Sequence, residues 1–119
     1  MFVKVIIAGG RDIFDYELLQ QCIIDCAFNI REIISGHASG VDSLGERYAI
    51  EHNIPLQIFK AEWGKYGASA GPIRNKSMIV DGEADAIIII WDGKSRGSAN
   101  MKKLAEKYNI EIFEKIYNK

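Results

Sequence analysis

Three glycine-bearing stretches hold the residues best suited to chemistry: Gly9-Gly10-Arg11-Asp12, Ser35-Gly36-His37-Ala38-Ser39-Gly40-Val41-Asp42 and Asp92-Gly93-Lys94-Ser95-Arg96-Gly97-Ser98. Each follows an apolar run. A strand that stops in small residues and turns into a helix makes an anion site, because backbone N–H groups and the positive helix end converge there. The amides of Gly36 through Gly40 are suited to cradling a phosphate, with the Ser39 hydroxyl as a further donor and His37 as an optional contact. Asp42 suits capping better than catalysis. Arg11 suits bidentate phosphate binding, and Asp12 either accepts from a ribose hydroxyl or holds Arg11 in place. Lys94 and Arg96 stand beside a helix start, again fit for phosphate. Each stretch also has a plainer reading: a tight turn, a solvated ion pair, or a surface loop with ordinary charges.

Arg74 and Asn75 follow Pro72 by two and three residues, in the first turn of a predicted helix that faces the same region. Trp63 and Tyr66 either stack on a base or anchor a long loop to the core. Several chemistries lack their residues. There is no Walker-type Gly-Lys-Ser/Thr, no GxGxxG spacing, no supported Ser–His–Asp order and no carboxylate pair flanking the glycine stretches. Cys22 and Cys26 lie on one apolar helix face, with His37 and His52 at no ligand spacing from them, so neither a metal nor a cofactor is expected. Both cysteines read as core thiols.

The 119 residues, 48% of them hydrophobic, predict a single domain over residues 1–119 with one core. Fifteen basic and 16 acidic side chains give a net charge of −1, which argues against broad nucleic-acid binding. No run approaches a membrane span, and Met1 to Val5 reads as strand instead of signal peptide. The expected location is the cytoplasm.

Hydrophobic periodicity supplies the elements that position these stretches. Val3 to Ala8, Arg31 to Ser35, Pro55 to Lys60, Ala86 to Trp91 and Glu111 to Ile116 read as strands. Asp15 is placed to cap a helix carrying Leu18, Leu19, Cys22, Ile23 and Cys26. Ser39 and Asp42 have capping-box spacing before a second helix, carrying Val41, Leu44, Tyr48 and Ala49 and ending near His52. Ala61 to Gly71 is the longest irregular piece; Pro72 starts a third helix and Gly97-Ser98 a fourth. Strands one, two and four are continuously apolar, as buried strands should be, whereas three and five carry polar interruptions. The expected fold is Rossmann-like α/β: three α/β/α layers around a five-stranded, mainly parallel sheet in the order 3-2-1-4-5. That order puts a crevice beyond strands one and four, where the glycine stretches meet.

The runs IIAGGRD, SGHASGVDSLGERYA, EWGKYGASAGPIRNKSM and WDGKSRGSANM resemble, in order and spacing, the YspA-type group of the SLOG superfamily, over residues 4 to 105. This superfamily is named for the DNA-processing protein Smf/DprA and the LOG cytokinin-activating enzymes. The resemblance implies a Rossmann-like fold whose glycine loops bind nucleotides or nucleotide-derived ligands, in some members as sensors of defence systems. It also implies occurrence in bacteriophages and prophages. Arg74-Asn75-Lys76-Ser77-Met78 resembles the LOG Arg-Lys-x-x-Met segment and keeps its Arg. Gly97-Ser98-Ala99-Asn100-Met101 resembles the LOG Gly-Gly-x-Gly-Thr-x-x-Glu motif, but Met101 stands where the catalytic Glu would be. A thioether neither stabilises a ribosyl cation nor activates water.

The leading expectation is therefore a nucleotide-binding sensor or sequestering module. Phosphates would lie on Gly9–Arg11, Gly36–Gly40 and Gly97–Ser98, with Arg11 and Arg74 as charge partners and Asp12 or Asp42 on ribose. A second reading is an N-glycosidic hydrolase or transferase using another carboxylate, such as Glu62 or Asp12. A third is DprA-like single-stranded DNA binding, disfavoured by the near-neutral charge. The expected partner is a small nucleotide-derived molecule, not nucleic acid or a membrane, and a homo-oligomer stays open.

Overall fold

A computed structural model describes residues 2–118. Five parallel strands form one sheet in the order β3-β2-β1-β4-β5. In chain order, β1 (Phe2–Gly9) leads to α1 (Tyr16–Cys26), β2 (Asn29–Ser35) to α2 (Val41–Glu51), and β3 (Leu56–Ile58) to the short α3 (Trp63–Tyr66). Then come α4 (Ala70–Val80), β4 (Ala86–Trp91), α5 (Arg96–Lys107) and β5 (Glu111–Ile116). Met1, expected at the start of the first strand, lies outside the described residues.

Alternation along β1 builds two cores from one apolar run. Val5 and Ile7 point to one face with Ile33, Leu19, Val41 and Leu44; Ile6 and Ala8 point to the other with Ile34, Met78 and Met101. Helices α1 and α2 cover the first face, α4 and α5 the second, giving the three-layer α/β/α arrangement. All six residues of β4 are buried. Each such isoleucine contributes roughly 1.5–3 kcal/mol of burial free energy. The edges are the three-residue β3 and the largely exposed β5. The α1 cap forms as its sequence indicates: Asp15 Oδ1 accepts from the Leu18 amide at 3.0 Å.

Four local expectations are corrected. The Ser39–Asp42 capping box does not form. Gly40 is the N-cap and contributes no side-chain bond, because Ser39 and Asp42 each reach a different loop segment. The 61–71 stretch is not irregular: α3 is followed by a single 3-10 turn, Gly67–Ser69, that runs into α4. Helix α4 thus starts at Ala70, and Pro72 is its third residue, still within the first turn where no intrahelical N–H is required. At α5 the N-cap is Ser95, so the helix opens before Gly97. No helix among the described residues is long and apolar enough to cross a membrane.

Candidate functional site

Strand order brings the loops after β1, β2 and β4 to one rim, because the chain leaves β1 toward β2 and β3 and later returns to β4 on the other side. The backbone of the β1 loop is tied to β4 on one side and interlocks with the β2 loop on the other. Gly10 N–H donates to Ile90 O at 2.9 Å, and Val41 N–H donates to Gly10 O at 3.1 Å. The Ser39 hydroxyl donates to Arg11 O at 3.0 Å. Gly40, at φ +75°, lies so close that a Cβ would overlap the Gly10 carbonyl.

Within the second loop, buried polar groups satisfy one another. Ser35 Oγ donates to Glu46 Oε2 at 2.7 Å and accepts from His37 N at 3.1 Å, and His37 Nδ1 lies 2.9 Å from the same Oε2. Ala38 N–H donates to Asp42 Oδ2 at 3.1 Å. The amides of His37 and Ala38 are therefore engaged by protein oxygens, which leaves a narrower backbone cradle than the glycine count implied.

Arg74 reaches across from α4. Its Nη1 donates to Gly36 O at 2.5 Å and its Nε to Asn75 Oδ1 at 2.9 Å. A Cβ on Gly36 would stand 2.7 Å from Nη1 and 2.9 Å from Asp42 Oδ2, so this glycine keeps the guanidinium and carboxylate together. Asn75, only 5% exposed, turns its amide to α5, donating to Asn100 Oδ1 at 2.9 Å. Burial pushes Asp42 up to about 6, against the pull of the Ala38 amide and Arg74. Burial also lowers Arg74; Arg11 adds to that and Asp42 opposes it. The Arg11 guanidinium lies over the Trp63 ring, 5.6 Å from its centroid.

The β4 loop folds on itself. Asp92 Oδ1 accepts from Lys94 N at 2.8 Å and Ser95 N at 2.9 Å, and these bonds hold its carboxyl below the usual range. A cleft of about 720 Å³ opens between this loop, the β1 loop and α4. Gly9, Gly10, Arg11 and Asp12 line it from β1, with Asp42 from α2. Arg74 and Asn75 line it from α4, and Asp92, Gly97 and Ser98 from the far side. Gly36, His37 and Ser39 instead line a smaller neighbouring cleft of about 310 Å³. Ser35, Gly40, Gly93 and Lys94 line neither: Ser35 is wholly buried, Gly40 is packed against the β1 loop, and Gly93 and Lys94 lie on the exposed outside of their turn.

Met101 is 1% exposed and lies in the wall of the larger cleft, whose lining carboxylates are Asp12, Asp42 and Asp92; Glu62 lines neither cleft. Glu46 and Asn100 escaped the sequence reading. Each acts by accepting hydrogen bonds from residues distant in the chain, and helical spacing alone marks no such role.

The profile of the YspA, cpYpsA-related SLOG family matches residues 3–66, more than half of the chain. The chain belongs to this family. The matched SLOG segment runs from β1 through α3 and contains both interlocked loops, while Arg74, the β4 loop and Met101 lie beyond it. The chain is also similar to the Gene 61 protein of Mycobacterium phage D29, 28% identical over 85 residues, which cover 67% of each protein. That relative agrees with the expected occurrence among phages. No solved structure matches the chain.

Proposed function

We propose that the larger cleft binds a nucleotide or nucleotide-derived ligand and that the protein acts as a sensor or sequestering module. The observation that carries this reading is the pairing of Arg11 and Arg74 at the switch point of the sheet. Two guanidinium groups that raise each other's potential, beside a carboxylate whose ionisation burial disfavours, favour an anion between them. Phosphate would lie there and at the Gly97–Ser98 start of α5; ribose hydroxyls would face Asp12 or Asp42. The apolar wall of Ala8, Met78 and Met101 suits a base.

The test is a thermal-shift screen of AMP, ADP-ribose, NAD, cyclic dinucleotides and a short single-stranded oligonucleotide, run in parallel on Arg11→Ala. A ligand at 100 times its dissociation constant adds roughly 2.7 kcal/mol. A shift lost in the variant supports the reading; no shift with any member of the panel, or one that the variant keeps, removes it.

A hydrolytic reading rests on Asp42. A carboxyl lining the cleft and titrating at about 6 has the character of a general acid near neutrality, which Met101 lacks. Chromatographic detection of released base, abolished in Asp42→Asn, would establish cleavage of the N-glycosidic bond. Intact ligand after prolonged incubation would leave the binding module.

A further inference from the structure

We propose that the smaller cleft is a second anion subsite, built for the distal phosphoryl group of a nucleotide that carries at least two. This inference rests on the reading of the larger cleft as the nucleotide site.

The two clefts share a wall made by Arg11, Ala38, Trp63 and Arg74. A ligand held at the two arginines therefore has direct passage from one to the other. Their charge is different. The larger is lined by three arginines, Arg11, Arg74 and Arg96, and by three aspartates, Asp12, Asp42 and Asp92. The smaller is lined by Arg11, Arg74 and Lys60 and by no carboxylate. In a chain of net charge −1, a concave surface with cations alone is a local concentration of positive potential.

Lys60 gives the smaller cleft its own character. It lines that cleft and not the larger, is exposed, and takes part in no ion pair among the described residues. Of the other lining residues, His37 is held by Glu46 and Arg74 stands beside Asp42. Lys60 follows β3, so the third strand also delivers a functional group to the same rim as β1 and β2. A volume of about 310 Å³ accommodates a phosphoryl group with part of its hydration shell. The balanced larger cleft suits base and ribose; the cationic one suits an additional dianionic group.

Calorimetric titration of the full chain with adenosine, guanosine, cytidine and uridine 5′-monophosphates and 5′-diphosphates tests this. The diphosphate of the preferred base should bind about tenfold tighter than its monophosphate. Lys60→Ala, an exposed substitution, should remove most of that advantage and leave monophosphate affinity within about twofold. Equal affinities for the two ligands, or a diphosphate advantage that Lys60→Ala preserves, would overturn the second subsite while binding lost in Arg11→Ala keeps the nucleotide site. Binding of none of the eight ligands would overturn the second subsite, and a thermal screen that is also blank would overturn the nucleotide site.

Discussion

The β1 and β2 loops and the β4 loop are alike in composition, each carrying glycine and a basic residue, yet they are built differently. In the first pair the glycines are sites of contact: Gly40 presses on the Gly10 backbone, and Gly36 leaves room for Arg74 beside Asp42. In the β4 loop, a Cβ on Gly97 would meet nothing within 4 Å, and one on Gly93 only Ile116 Cδ1 at 3.7 Å. Glycine in the first region is a steric requirement. In the second, Gly93 at φ +80° serves the turn of the backbone, and only Gly97 is simply room beside the cleft. A glycine-rich loop therefore does not identify a ligand cradle by itself: one kind locks two loops together, the other makes a turn and leaves space beside the cleft.

Gly40→Ala should separate the two regions most sharply. A side chain in this backbone region costs about 1–3 kcal/mol and overpacking against the Gly10 carbonyl a similar amount, so a loss of about 4 kcal/mol is expected in denaturant unfolding. A loss below about 1 kcal/mol would mean that the loops move apart easily.

Asp42 tests the electrostatics of the interlocked side. Its folded-state value is raised above the ordinary 3.8 to about 6, so the stability tied to its protonation is full below pH 3.8 and is lost as pH rises through 6. Asp42→Asn should therefore gain on the parent protein by up to about 3 kcal/mol between pH 4 and pH 7. A pH-independent difference between the two proteins would show that Asp42 titrates like an exposed carboxylate.

Asn75 joins the two regions, since it bonds to Arg74 on one side and Asn100 on the other. Asn75→Ala leaves both partners short of a bond and should cost about 2 kcal/mol in thermal unfolding. The smallest effect has the opposite sign. Gly97→Ala, in the first turn of α5, should raise stability by less than about 1 kcal/mol, through the entropy that glycine retains in the unfolded chain. Destabilisation there would mean that the open loop is packed after all.

Much of this fold was legible in the chain. The apolar strands and the polar interruptions in β3 and β5 report burial on two faces or on one, which is what sets strand order. Asp15 could be read as a cap because its partner, Leu18, is three residues away. The site was legible only as a set of loops. Ser39 and Asp42 have the spacing of a local motif but spend their bonds on the Arg11 carbonyl and the Ala38 amide, since tertiary packing places those groups nearer. Glu46 supports Ser35 and His37 from the second turn of α2, and no periodicity distinguishes it from a solvent-facing glutamate. Lys60 gains its place only when β3 docks beside β2.

The most direct test of the proposed nucleotide site is amide chemical-shift mapping of the protein by NMR during titration with the tightest ligand of the thermal screen. The account predicts the largest changes at Gly10, Arg11, Gly97 and Ser98, with smaller ones at Ala38 and Ser39. Changes centred on α1, the β5 edge or the outer face of α2, with the Arg11 and Gly97 amides unmoved, would contradict it.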